Sequence, residues 1–266
     1  MSSIPLIEGR RSFGDDPTAY AAARPEYPDA LYRYLVDRCG LRPATATFEV
    51  GAGTGLATRR LLEHGAAPLL AIEPDPRLAA YIRRHISSTA LHIEVTPFEE
   101  AALAPASFDL GVAATSFHWV EQASGLAKVH AALRLGGWWA MWWNQFGADE
   151  QDDAFQAATS HLFDGIPDSP SRGHKSGTPF SLDRDARLGE LAAAGFERPN
   201  VEIWHWTRRY ETARLVALYR TFSPVHALEP QRRDRFLRDL ARIADEQFGG
   251  SVERPLTTAL YTAERG

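Results

Sequence analysis

The stretch ATFEVGAGTG, from Ala46 to Gly55, decides how the rest of the chain is read. An apolar, β-branched run carrying Glu49 gives way to glycines at 51, 53 and 55. Glycine adopts positive φ freely and has no Cβ, so such a turn brings backbone N–H groups close to a ligand. The pattern predicts a buried parallel strand, a tight loop and a helix, the nucleotide end of a βαβ unit. A nicotinamide fingerprint needs a sixth-position Gly or Ala, but counting from Gly51 that position is Leu56, and from Gly53 it is Thr58. The spacing is E-x-G-x-G-x-G instead. A second apolar run, LLAIEPD, ends at Glu73, 18 residues after Gly55, where an acid can accept both hydroxyls of a ribose.

Strand, loop and ribose acid together resemble those of the class I S-adenosylmethionine-dependent methyltransferases, over roughly residues 18 to 145. The resemblance implies S-adenosyl-L-methionine as cofactor, held by Glu49, Gly51, Ala52, Gly53 and Gly55 of the loop and by Glu73 and Pro74 after the second strand. Upstream, Y-x-x-x-R-P-x-Y-P from Tyr20 to Pro28 is similar to the start of methyltransferases of the trans-aconitate and ubiquinone-biosynthesis type. In those relatives the segment covers the cofactor, which makes Tyr20 and Arg24 candidates for the methionine half, with Arg24 on its carboxylate. A surface Arg24, with Tyr27 packed on the helix, is the alternative. The family pattern also sets Phe98 against the adenine and Glu99 on its amine or the ribose; a solvated acid at a helix start is the plainer reading of Glu99.

Composition bounds the partners. The chain has 266 residues, 44% of them hydrophobic, and suits one α/β domain with an added cap. A net charge of -5 gives no general attraction to a phosphate backbone, so nucleic acid is not the expected partner. Lys128 and Lys175 are the only lysines, and the single cysteine, Cys39, has no partner in the chain for a disulfide. No run of 18 apolar residues and no apolar signal core near the N-terminus are found. The expectation is a cytoplasmic protein without a membrane partner, monomer or homodimer being left open.

Taken in order, residues 1 to 17 read as a loose arm. Two helical pieces follow, separated by Pro25 and Pro28, the second with Leu31, Tyr34, Leu35 and Cys39 on one face. Helices are expected at 56–64 and from Pro76, strands at 67–73, 91–95, 106–115 and 136–145. The fourth strand runs into TSFHWV, at the carboxyl end where open parallel sheets bind ligands. The N/D-P-P-Y/F motif of nucleic-acid amino-methyltransferases is absent there. The F-H-W that stands instead is similar to a bacterial group whose usual form is Q-A-F-H-W; Thr115 and Ser116 replace Gln-Ala, and Thr115 is carried over to the cofactor. His118 has three readings: general base, ligand to the cofactor carboxylate, or hydrogen-bonded structural histidine. In GGWWAMWWNQ, strand alternation sends most tryptophans to the core, leaving Trp143 and Asn144 as pocket candidates.

Two insertions interrupt the doubly wound pattern. Residues 147 to 182 hold a short amphipathic helix and a proline and glycine-rich loop, and 211 to 250 hold two amphipathic helices with Leu215, Leu218, Tyr219 and Phe222, then Phe236, Leu237, Leu240, Ile243 and Phe248. The fold expected is a Rossmann-like α/β sheet of seven strands, mostly parallel with the last antiparallel, under a helical cap. Tyr219, Ser223 and His226 are candidates for acceptor contacts, and Asp164 to Ser181 for a mobile lid. No H-x-H, H-E-x-x-H, paired-cysteine or G-x-S-x-G signature is present, which argues against a metal-assisted or hydrolase mechanism. The expected activity is methyl transfer to a small-molecule acceptor at oxygen, carboxylate or hydroxyl. C- or N-methylation, or cofactor binding without turnover, are the alternatives.

Overall fold

A computed structural model describes residues 14–147, 153–166, 171 and 178–266. Its centre is a seven-stranded sheet in the order β3-β2-β1-β4-β5-β7-β6. In chain order the strands are β1 (Thr45–Val50), β2 (Ala66–Ile72), β3 (Leu91–Glu94), β4 (Phe108–Ala114), β5 (Leu133–Phe146), β6 (Phe196–Glu211) and β7 (Ser251–Arg265). The first five pair in parallel, and β7 runs antiparallel to both β5 and β6.

β1 is buried at all six positions, as a strand covered on both faces must be. Phe48 sits opposite Leu70 on β2 and Gly111 on β4. A Cβ on Gly111 would lie 2.4 Å from the Phe48 ring, so the glycine makes room for the phenyl group. The chain leaves β1 toward β2 on one side, while β4 lies on the other. That reversal opens a crevice beyond the carboxyl ends of β1 and β4.

The helices begin where the chemistry of their first residues allows. α1 (Pro17–Ala23) and α4 (Pro76–His85) each start on a proline, with the carboxylates of Asp16 and Asp75 accepting from Ala19 N and Arg77 N. α2 (Asp29–Cys39) turns Leu31, Tyr32, Leu35 and Cys39 inward. Tyr34, expected on that face, is half-buried against Trp204 on β6; residue 32 is the one sealed because it lies one position after Leu31, on the flank nearer His64. α3 (Leu56–Glu63) starts at Gly55, which has φ 81°. α5 (Gln122–Ala132) and α7 (Arg184–Ala193) flank the other side.

β5 is longer than the expected ten residues, because it starts at Leu133, paired with Phe108 on β4, and antiparallel pairing with β7 carries it on to Phe146 opposite Leu256. Its alternation puts Trp139, Met141 and Trp143 in one core cluster and Ala140 and Trp142 in another. The cap is α8 (Thr212–Arg220), a turn at Ser223–His226, and α9 (Pro230–Phe248), together with α6 (Ala154–Thr159) of the first insertion. They share a core of Phe155, Ile166, Leu215, Leu218, Tyr219, Phe236, Leu240 and Ile243. Most of the expected lid, 164–181, lies outside the described residues. Its described ends are anchored: Ile166, Phe180 and Ser181 are buried, and the Tyr261 hydroxyl donates to Ser181 O at 2.8 Å. The loop composition concealed these apolar anchors, which lie at its two margins.

Candidate functional site

A cavity of about 840 Å³ lies beyond the carboxyl ends of β1, β4 and β5 and reaches under the cap. Its floor is the glycine loop. Gly51 N and Ala52 N both donate to Ile72 O, at 2.9 and 3.2 Å, and Gly55 N donates to Ala52 O at 2.9 Å. Gly53 N donates to Glu73 Oε2 at 2.7 Å, while Glu73 Oε1 accepts from Asp75 N at 2.9 Å. These four loop amides are consumed within the fold and are not free to cradle a pyrophosphate. Gly51 has φ 70°, and a Cβ there would meet the Ser116 Cβ at 2.6 Å; Ser116 Oγ in turn donates to Val50 O. β1 and the end of β4 are locked together at this point.

Two acids face this floor and differ in state. Glu73 is 3% exposed, and each of its oxygens accepts from a backbone amide. Glu49 is buried and accepts from Thr58 Oγ1 at 2.6 Å. Burial pushes its carboxyl up to about 8, against the lowering effect of Thr58 and with a further push from the Glu73 charge. Glu49 is thus a neutral acid at pH 7 in the unliganded site.

Beyond β4 the backbone is constrained. Thr115 has φ 55°, a region that costs a β-branched residue about 1 to 3 kcal/mol. It is held there by Thr115 N donating to Trp142 O at 2.7 Å and by a 2.8 Å hydroxyl contact with Tyr27. Burial raises the Tyr27 phenol well above its ordinary value. A single 3-10 turn, Phe117–Trp119, then turns His118 into the cavity. Trp143 Nε1 donates to His118 Nδ1 at 2.9 Å. Burial lowers the imidazole to about 3, and the charge of Arg24 adds to the shift. The ring is neutral at pH 7.

Under the cap the wall is aromatic: Phe146, Phe163, Tyr219 and Phe222, with Ile166. Arg254 on β7 is 1% exposed. Its Nε and Nη2 each lie 2.9 Å from Asp153 Oδ2, and Nη1 donates to the Tyr219 hydroxyl. That cation is neutralised on the spot. Arg24 is different: Nη2 donates to Thr221 O at 3.0 Å, the guanidinium lies between the Tyr20 and Phe222 rings, and Nε is buried without a partner. No carboxylate pairs with Arg24 among the described residues.

Of the residues named from sequence, the cavity brings together Tyr20, Arg24, Glu49, Gly51, Ala52, Gly53, Glu73, Pro74, Phe98, Thr115, His118, Trp143, Asn144, Tyr219 and Ser223. Gly55 stands behind the loop, where a Cβ would strike the Ile86 Cδ1 at 2.6 Å. Glu99 is exposed and outside the cavity, and its carbonyl accepts from Lys128 Nζ. His226 is outside it too, with Nε2 3.1 Å from Asp15 Oδ2. Asn144 lines the cavity, but its Oδ1 is taken by Thr258 Oγ1 at 2.7 Å. Sequence reasoning missed Arg254, whose only signal is a lone arginine in the alternating VERPLTTALY run. It also missed the Tyr27 to Thr115 contact, which joins residues 88 apart. No group of three or more potential metal ligands occurs among the described residues.

Comparison with known proteins agrees with this geometry. Residues 48–141 match a family model described as a methyltransferase domain. An uncharacterized methyltransferase of Mycobacterium tuberculosis is 32% identical over 133 residues, covering 50% of this chain and 52% of that protein; the chain matches only about half the length of these mycobacterial relatives. An uncharacterized methyltransferase of Schizosaccharomyces pombe is 21% identical over 263 residues, 96% of this chain and 97% of its own. A solved structure from Anaeromyxobacter dehalogenans, described provisionally as a type II methyltransferase, superposes with a TM-score of 0.65 at 22% identity, over 91% of this chain and 98% of that one. Over residues 48–141 the chain is similar to a methyltransferase domain, and its α/β fold is that of the solved structure on which it superposes. No helix among the described residues is long and apolar enough to cross a membrane.

Proposed function

We propose that this chain transfers the methyl group of S-adenosylmethionine to an oxygen of a small molecule bound under the cap. The observation that carries this reading is the single cavity running from the glycine loop and Glu73 to Tyr219, Phe222 and Ser223. Such continuity is what an in-line displacement needs, since it rests on holding the acceptor against the methyl carbon with water excluded.

Glu73, a buried acid that lines the cavity, takes the ribose hydroxyls. Glu49, Gly51, Ala52, Gly53, Pro74 and Thr115 line the path of the cofactor, and Gly55 sets the turn. Phe98, with Lys128 Nζ 5.1 Å from its ring centroid, faces the adenine. Arg24, the cation without a carboxylate partner, takes the methionine carboxylate, with Tyr20 over its guanidinium. Trp143, Asn144, Tyr219 and Ser223 line the acceptor side. Glu99 and His226 have no part in this assignment, because neither faces the cavity.

The consumed loop amides favour an adenosyl cofactor over a dinucleotide, which needs them for its phosphates. Titration calorimetry with S-adenosylmethionine, S-adenosylhomocysteine and NAD tests the reading: the first two should bind and NAD should not. A protein that binds both adenosyl ligands but shows no methylated product across a panel of oxygen, nitrogen and carbon acceptors would be a binding protein instead.

A further inference from the structure

The hydrogen bond between Trp143 and His118 fixes more than the position of the ring. Indole N–H is a donor only, so the His118 Nδ1 that receives it at 2.9 Å must be the unprotonated nitrogen. The neutral imidazole then carries its one proton on Nε2. Among the described residues Nε2 has no protein partner, and the residue lines the cavity. The other groups around the ring are Trp119, Trp143 and Phe180, all uncharged, and the single charge bearing on it is Arg24. His118 therefore offers the cavity a hydrogen-bond donor and no lone pair.

Among the described residues no other lining group supplies a base at neutral pH. Glu49 is bonded to Thr58 and holds its proton. Glu73 is tied to two backbone amides at the ribose end. The remaining titratable groups are phenols and guanidinium groups, which keep their protons near pH 7. An oxygen acceptor with no base beside it must arrive already ionised. The wall it meets is aromatic, and the second cavity arginine, Arg254, is spent on Asp153, so one anionic group on an apolar body matches the lining.

We propose that Trp143 is a positioning residue that holds His118 as an Nε2–H donor, and that this donor selects a monocarboxylate carried on an aromatic or other apolar body as the methyl acceptor. The proposal rests on the methyltransferase reading above. The step balances without a proton: a carboxylate lone pair forms the new O–CH3 bond, the C–S bond pair returns to sulfur, and sulfonium and carboxylate become thioether and ester. Two opposite charges vanish, which is why a dry, low-dielectric site suits the reaction.

The test uses the full-length protein labelled with 15N-histidine, whose ring signals are assigned with a His118→Gln variant. Long-range 15N–1H spectra from pH 5 to 9 should show His118 with a protonated Nε2 and a bare Nδ1 throughout, and Trp143→Phe should turn this into a mixture of tautomers. A proton on Nδ1 in the parent protein overturns the proposal, as does an unchanged ring in Trp143→Phe. Methylthioadenosine, S-adenosylhomocysteine, and the latter with benzoate or benzyl alcohol are then added in turn. The Nε2–H signal should move saturably with benzoate and at least tenfold less with the alcohol. A full shift on S-adenosylhomocysteine that methylthioadenosine does not cause, with nothing added by benzoate, would assign the donor to the cofactor's own carboxylate and overturn the acceptor role. Equal response to acid and alcohol, or to neither, overturns the acceptor class. In turnover with methyl-labelled cofactor, His118→Gln, whose amide donates but cannot act as a base, should recover at least tenfold of the activity lost in His118→Ala. Failure of both variants alike, with the parent methylating an un-ionised alcohol, would make His118 a general base. If calorimetry shows no S-adenosylmethionine binding, the methyltransferase reading fails by itself, whatever the tautomer.

Discussion

The two halves of the cavity are built by different means. The half proposed to hold the cofactor is made mostly from backbone supplied by two neighbouring loops: Gly51, Ala52 and Gly53 bond to Ile72 O and to the Glu73 carboxylate, all within 22 residues of each other. The acceptor half is made from side chains that meet only in the folded chain. Arg254 on the last strand binds Asp153, 101 residues earlier, and Tyr219 from the cap. A half built from short-range backbone contacts leaves a spacing in the sequence, whereas a half built from distant side chains leaves none. The two should also fail differently when perturbed.

The largest effect is expected in the acceptor half. Asp153→Ala strands the buried Arg254 charge, and removing one partner of a buried pair costs about 3 to 5 kcal/mol. Urea unfolding should show this loss, while the double change Asp153→Leu with Arg254→Met should restore most of it. If Asp153→Ala unfolds like the parent, Arg254 has another counter-charge and the independence of the cap half is wrong. Next comes the cofactor half. Glu73→Ala should weaken S-adenosylhomocysteine binding by about 2 to 3 kcal/mol in calorimetry, because two ribose hydroxyls lose a charged acceptor. Unchanged affinity would remove the ribose role.

Two buried groups on opposite sides of the cavity sharpen the contrast through pH. Glu49 is raised from 4.5 to about 8, so the native state binds the extra proton; its stabilisation is full below about pH 4.5 and is lost as pH rises toward 8. His118 is lowered from 6.5 to about 3, so its contribution is present above about pH 6.5 and is lost as pH falls. Glu49→Gln should therefore flatten the alkaline fall of stability between pH 5 and 8. His118→Gln should flatten the acid side instead. A parallel shift of the whole profile in either variant would show that the proton is not the cause. The smallest effects belong to residues outside both halves. Glu99→Ala and His226→Ala should each change cofactor binding by less than about 0.5 kcal/mol, as exposed sites do, and a larger loss by calorimetry would bring that residue back into the site.

Legibility in the sequence follows the same division. Gly51 was readable because only glycine fits against Ser116 at φ 70°, and Glu73 because it stands one residue past the end of a buried strand. The insertions were readable from the helical spacing of Leu215, Leu218 and Tyr219, which need a partner to bury against. Glu99 was misplaced in the family-based reading because an acid after an aromatic is common to a site and to a solvated helix start. Thr115 looked like an ordinary strand residue; its left-handed backbone is imposed by Trp142 and Tyr27.

By itself, the sequence determined the strand, the glycine loop and the acid after the second strand, the seven strands with the last antiparallel, and the presence of a cap, since each depends on periodicity or on local φ constraints. The tertiary structure decided which residues share the cavity, that Arg254 pairs with a carboxylate while Arg24 pairs with none among the described residues, and that His118 Nδ1 accepts from the Trp143 indole. These last depend on desolvation and on hydrogen-bond partners from distant segments, such as the Trp143 indole 25 residues away, and burial sets a proton's position only after the chain has closed around it.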